Sequence, residues 1–190
     1  GNSINIVSGS ALASSTILTL AFSSKVNAET AEFFFERAVE KVEKGNYFDA
    51  IYDYTRALEI NPNYEDAYYN LGVAKTKIND YKGSIDDYSM AISINPKSEL
   101  AFYARGLSKS KLNNQYAAIS DYSRAIEINQ NYEDAYYARA SSSGELKNYS
   151  AAIADYSRVI EINSNNAEAY YNRGIMQSNL DNHYGAISDY

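Results

Sequence analysis

The stretch "NYEDAYY" occurs at Asn63–Tyr69 and again, unchanged, at Asn131–Tyr137. Midway between the copies lies a looser version, "KSELAFY" at Lys97–Tyr103, and a further relative, "NNAEAYY", follows at Asn165–Tyr171. The four starting points, Asn63, Lys97, Asn131 and Asn165, are evenly spaced. A constant step of about 34 residues marks an array of stacked supersecondary units, each burying its apolar face against its neighbours rather than in one central core.

Composition narrows the function classes. The 190 residues carry a net charge of −7, which disfavours broad electrostatic attraction to nucleic acid or to an anionic membrane. There is no cysteine, so disulfide scaffolds, thiolate metal sites and cysteine nucleophiles are excluded, while the compartment stays open. Two prolines and nine glycines leave little to interrupt helices. Twenty tyrosines with no tryptophan is an unusual balance, and it assigns tyrosine a repeated structural role, a functional one, or both.

Residues 1–30 differ from the rest as a leader: no charge precedes Lys25, and Ala11–Phe22, "ALASSTILTLAF", is an apolar run ending upstream of "VNA" at Val26–Ala28. This pattern reads as a secretory signal cleaved before Glu29, although the positive segment expected ahead of it is missing; the other reading is a disordered leader. An exported or periplasmic protein follows from the first reading and a cytoplasmic one from the second.

From Ala31, taken as repeat position 1, the register is plain. Position 8 is Ala38, Gly72, Gly106, Ala140 and Gly174, and position 20 is Ala50, Ser84, Ala118, Ala152 and Ala186. Large rings recur at position 4 (Phe34, Tyr68, Phe102, Tyr136, Tyr170) and at position 24 (Tyr54, Tyr88, Tyr122, Tyr156, Tyr190). Small residues at fixed places let two helix backbones approach, and a ring fills the gap beside each contact. Within one unit, Ala67, Tyr68, Leu71, Ala74 and Ile78 follow helical spacing, "NDY" at Asn79–Tyr81 turns the chain, and Ile85, Tyr88, Ala91 and Ile92 form a second stripe. Pro62 and Pro96 close the units in "INP", and Asn63 and Asn131 are expected to cap the helices that follow, supported by Asp66 and Asp134. No strand pattern competes.

On "AYYNLG" at Ala67–Gly72, the small positions and the "INP" closures, the chain resembles a tetratricopeptide repeat (TPR) protein. The resemblance covers units 31–64, 65–98, 99–132 and 133–166 and an incomplete fifth, 167–190. It implies an all-α fold, a right-handed superhelical solenoid of antiparallel helix pairs. There are departures: position 7 is leucine only at Leu71 and arginine at Arg37, Arg105, Arg139 and Arg173, and Gln130 and Ser164 replace the closing proline. In two units the turn tyrosine slips one place, to Tyr116 and Tyr184, leaving Gln115 and His183 before it.

The resemblance also implies a concave face lined by positions 2, 5, 6, 9, 12 and 13 of each first helix. On it, Phe35, Tyr69, Tyr103, Tyr137 and Tyr171 form an aromatic ladder at position 5, with Asn70 and Asn172 beside it at position 6. Such a row suits an extended peptide or helix, each ring offering apolar area and a hydroxyl and each amide a backbone partner. The other reading is that the rings pack only against their neighbours. The family's carboxylate clamp needs bases at positions 2 and 6; this chain has Glu32, Asp66, Leu100, Asp134 and Glu168 at position 2 and no base at position 6, so the clamp is absent. The acids favour a neutral or basic protein partner, or simply stabilise helix N-termini. Arginine at position 7 recurs with aspartate at position 23 (Asp53, Asp87, Asp121, Asp155, Asp189) as a packing pair. His183 stands alone, and no phosphate loop, nucleophile elbow or zinc motif is present, so neither catalysis, a cofactor nor a small-molecule substrate is expected. The sequence reads as an interaction scaffold; a self-associating array and the non-catalytic arm of a larger enzyme are the alternatives.

Overall fold

The computed structural model describes residues 30–190, and the leader with its cleavage point lies outside the described residues. These residues form ten helices and no strand. The first helices of the successive units are α1 (Ala31–Glu43), α3 (Glu65–Lys77), α5 (Glu99–Lys111), α7 (Glu133–Glu145) and α9 (Ala167–Ser178). The second helices are α2 (Tyr47–Ile60), α4 (Tyr81–Ile94), α6 (Gln115–Ile128), α8 (Tyr149–Ile162) and α10 (His183–Asp189). Each packs on the helix before and after it, so the core is segmented: one cluster joins Ala38, Tyr54 and Leu71, another Phe102, Ile126 and Ala135, a third Ala140, Tyr156 and Ala169. The first helices α3, α5 and α7 also touch one another in series, whereas no pair of second helices makes comparable contact. The first helices are therefore the inner, concave layer.

Local chemistry sets the boundaries. Every second helix starts at an Asn or Asp cap (Asn46, Asp80, Asn114, Asn148, Asn182) whose side chain accepts from the backbone N–H three residues on. The residue before each cap has positive φ: Gly45, Asn79, Asn113, Lys147 and Asp181. Between units, Asn61, Asn95, Asn129 and Asn163 each accept from the N–H two residues later, at 3.1 to 3.2 Å. This side-chain turn, not the proline after it, closes the repeat, which is why Gln130 and Ser164 serve as well as Pro62 and Pro96.

The expected caps at Asn63 and Asn131 are corrected. The caps of α3 and α7 are Tyr64 and Tyr132, and neither makes a side-chain capping bond. Asn63 and Asn131 instead donate their backbone N–H groups to the closing turns. Where Thr30, Ser98 and Asn166 cap α1, α5 and α9, the tyrosines use the same position to pack: Tyr64 stacks on Phe35 at 4.9 Å and Tyr132 lies tilted against Tyr103 at 5.1 Å. A cap and an aromatic contact are each worth about 1 kcal/mol, so the exchange is close to neutral. It explains why "NYEDAYY" recurs in alternate units and not in every one.

Position 8 meets position 24 in every unit. A Cβ added to Gly72, Gly106 or Gly174 would lie 2.7, 2.5 or 2.8 Å from a ring carbon of Tyr88, Tyr122 or Tyr190. Ala38 and Ala140 fill the place in the other two units, each fully buried.

The arginine–aspartate pairs lie within units. Arg37, Arg105, Arg139 and Arg173 each grip the position-23 aspartate of their own unit through Nε and Nη2, with Nε–Oδ2 distances of 2.7 to 2.9 Å. Three of them also tie units together, Nη1 donating at 3.0 Å to Ser89, Ser123 or Ser157 of the preceding unit. Their guanidinium groups lie over the position-4 rings, and Arg56, Arg124 and Arg158 lie over Phe34, Phe102 and Tyr136 as well. The second unit abandons both arginines at once, for Leu71 and Met90. Its Asp87 keeps only Lys75, 2.7 Å away. The consequence shows in protonation. At Asp53 burial pushes the carboxyl up, but bonds from Arg37 and Lys41 outweigh it and hold it below the ordinary value. At Asp87 burial wins over the single lysine and pushes the carboxyl up to about 6.

Two expectations follow. Gly106→Leu should force Tyr122 out of its seat and cost about 1–3 kcal/mol in urea unfolding, whereas unchanged stability would remove position 8 as the close contact. A carboxyl whose folded pKa is raised costs the fold stability as pH climbs from about 4 to about 6, because the unfolded chain ionises first, and the cost persists above that range. Leu71→Arg should bring Asp87 below the ordinary carboxylate value in an NMR titration and remove this loss; a midpoint still near 6 would contradict the pairing.

Candidate peptide-binding groove

The position-5 rings stand on the position-24 rings. Phe35, Tyr69, Tyr103, Tyr137 and Tyr171 lie 5.4 to 6.0 Å from Tyr54, Tyr88, Tyr122, Tyr156 and Tyr190 in turn. One side of each ring is thus committed to the helix pair. Phe35, Tyr69, Tyr103 and Tyr137 are half-buried and Tyr171 is 59% exposed, so all keep surface to offer. The packing reading of the ladder accounts for one part of each ring, and the rest of its surface stays open. Burial pushes the phenols of Tyr69 and Tyr103 up, so they remain neutral hydrogen-bonding groups around neutral pH.

Between α5 and α7 a pocket of about 370 Å³ opens on this face, with Tyr103, Leu107, Tyr137, Ala138 and Ser141 in its wall and Tyr122 behind them. Asp134, Glu145 and Lys111 stand around it and supply a net negative rim. The two amides are partly committed. Asn70 donates at 2.8 Å to the carbonyl of Asp66 in its own helix, and Asn172 donates at 2.7 Å to the Tyr137 hydroxyl, tying the fifth unit to the fourth. Each thereby offers a ligand its carbonyl oxygen more readily than its N–H groups.

Three contributors were not singled out as site residues in the sequence. Tyr64 and Tyr132 thicken the aromatic wall, and their signal was the alternation of ring and small polar residue at position 34. Gln115, the replacement for a turn tyrosine, is buried, donates to the Glu145 carboxylate on the pocket rim and accepts from Ser110 at 3.0 Å. Glu145 is thereby fixed in place. The displaced Tyr116 is 77% exposed on the outer side. Among the described residues no group of His, Cys, Asp and Glu is arranged to hold a metal, and no helix is long and apolar enough to cross a membrane.

The helix pairs, their turns and their inner surface define a helical-repeat scaffold. Family descriptions of the TPR repeat match residues 40–78 and 145–180, and those of the tetratricopeptide repeat match residues 65–98 and 100–132. The chain belongs to the tetratricopeptide repeat family. Among solved structures it is similar to a MamA protein (TM-score 0.81, 24% identity, covering 84% of this chain and 87% of that one). It is also similar to MamA from Desulfovibrio magneticus RS-1 (TM-score 0.79, 15% identity, covering 84% and 90%). A third is YrrB, described as a TPR protein with an unusual peptide-binding site (TM-score 0.77, 23% identity, covering 89% and 87%). At these identities the likeness is one of fold. No curated protein matches the chain.

The Tyr137 hydroxyl carries a bond across a unit boundary, which gives it a separable role. Tyr137→Phe should keep the ring contact with Tyr156, lose the Asn172 bond and destabilise α9 and α10 by about 1 kcal/mol. Hydrogen exchange should quicken there and not in α1–α6; uniform or absent change would deny the tie.

Proposed function

We propose that this protein is an interaction scaffold whose inner groove holds an extended, neutral or basic peptide segment of a partner protein against Tyr69, Tyr103, Tyr137 and Tyr171, with Phe35, Asn70 and Asn172 extending the same surface. The observation that carries the reading is the pocket between α5 and α7, whose wall combines position-5 rings of two consecutive units with small and apolar neighbours. A continuous ligand would meet a similar ring every unit, and aromatic anchors on such a surface are worth about 2 kcal/mol or more each where well buried. Rim carboxylates at Asp134 and Glu145 favour a partner without excess negative charge. That YrrB is described with a peptide-binding site agrees with this use of the fold.

A second reading has its own observation. Phe48, Tyr116 and Tyr184, at position 18 of alternate units, are 73%, 77% and 91% exposed on the outer side, and rings of this kind also serve association between copies of the array. Light scattering over a concentration series separates that reading from a monomeric receptor.

For the groove, a peptide selected from a random library against the protein is the probe. Tyr103→Ala combined with Tyr137→Ala should weaken it at least about a hundredfold, the sum of two anchors. Circular dichroism should show the helices retained, since Tyr122 and Tyr156 remain. Unchanged affinity in the double variant would end the proposal.

A further inference from the structure

The same internal repetition that fixes the fold exposes a lysine missing from the last two units, where position 11 is Ser143 and then Gln177, and only the serine is too short to fill the place. In the first three units a lysine at position 11 places its ammonium on the position-23 aspartate, with Nζ–Oδ2 distances of 2.6 Å for Lys41–Asp53, 2.7 Å for Lys75–Asp87 and 2.7 Å for Lys109–Asp121. In the fourth unit that position is Ser143, and Asp155 keeps only Arg139, through Nε at 2.8 Å and Nη2 at 2.7 Å. The space is not refilled. A pocket of about 470 Å³ lies there between α6, α7 and α8, with Ser143, Asp155 and Arg139 among its lining residues.

We propose that this pocket binds a primary ammonium carried on an unbranched aliphatic stem, the chemistry of a lysine side chain or of a free alkyldiamine. The third unit provides the template for the charged end. There Asp121 Oδ2 accepts Arg105 Nε at 2.9 Å and lies 2.7 Å from Lys109 Nζ at once, so one carboxylate oxygen serves both cations. Asp155 Oδ2 is used by Arg139 Nε alone and retains the equivalent lone pair, at a residue only 8% exposed. The added positive charge reproduces a balance of two cations to one aspartate that the first and third units already hold.

The rest of the wall suits the stem. Ile119, Leu146 and Ala151 supply apolar surface for methylenes, as the protein's own lysine stems find in the other units. Tyr116, displaced outward by Gln115, also lines the pocket and offers a ring to a cation entering from solvent. The charged groups on the pocket are Asp155 and Arg139, with no further acid or base in its lining. This site shares no lining residue with the Tyr103–Tyr137 pocket and does not depend on that reading.

The test is a 1H–15N NMR titration of the full chain with n-butylammonium, with n-butanol as the neutral isostere. Saturable shifts are expected at the amides of Ser143, Leu146 and Asp155, with binding at least tenfold weaker for the alcohol. Ser143→Lys supplies the stem internally, as in three other units, and should abolish the response. Lys109→Ser should create a second set of shifts around Asp121. Parallel titrations with cadaverine and with a capped Ala-Lys-Ala peptide distinguish the two sources, the tighter binder naming the one the pocket prefers. No saturable shift in the unmodified chain, equal response to the alcohol, or an undiminished response in Ser143→Lys would each overturn the proposal.

Discussion

The contact on which the rest depends is a tyrosine ring laid against a residue with almost no side chain. At position 24 the ring is buried in four units, and at position 8 across from it stands glycine or alanine. With a Cβ no farther than 2.8 Å from the ring at each of three glycines, the spacing of the two helices in those units is fixed by ring thickness alone. That buried ring also meets the position-5 ring of the first helix, at 5.4 to 6.0 Å. Core and inner helices are therefore joined ring to ring in each unit, through tilted or edge-on contacts.

Around this stack, charge is used inside an array with little core to spare. The position-7 arginine satisfies a buried aspartate in its own unit, a serine in the unit before, and the face of a position-4 ring. Breaking one partner of such a hub leaves another buried and unpaired, which costs far more than the pair itself contributes. The second unit carries part of that cost: Leu71 replaces the hub arginine, Met90 replaces the outer arginine, and Lys75 alone is left beside Asp87, whose carboxyl burial pushes up to about 6. The fourth unit changes the other arm, keeping Arg139 and dropping the lysine. Units of nearly the same fold thus carry different electrostatics.

Much of the fold was legible in the sequence because stacking forces the same steric solution on every unit. Ala38, Gly72, Gly106, Ala140 and Gly174 disclose the close helix contact, and the recurrence of Arg105 with Asp121 and Arg139 with Asp155 discloses the ion pairs. The helix starts after Tyr64 and Tyr132 were not legible, since Asn63 is as good a cap by residue type and only the register of the preceding turn, closed by Asn61, excludes it. The seating of each position-5 ring on a position-24 ring was left open by the sequence as well. Which side of a ring faces a neighbour depends on the rotation of the helix pair, and residue identity does not encode that locally. The commitment of Asn172 to Tyr137 is of the same kind, a contact between units that neither local pattern announces.

The central claim is that the rings resting on the buried tyrosines, and not the outer ones, meet the partner. With ring-13C-labelled tyrosine in the full chain, titration with a library-selected peptide reports each ring separately. The account predicts that Tyr69, Tyr103 and Tyr137 shift on saturation while the outer Tyr52 and Tyr184 stay unmoved. Shifts at Tyr52 and Tyr184 with the three inner rings silent would contradict it.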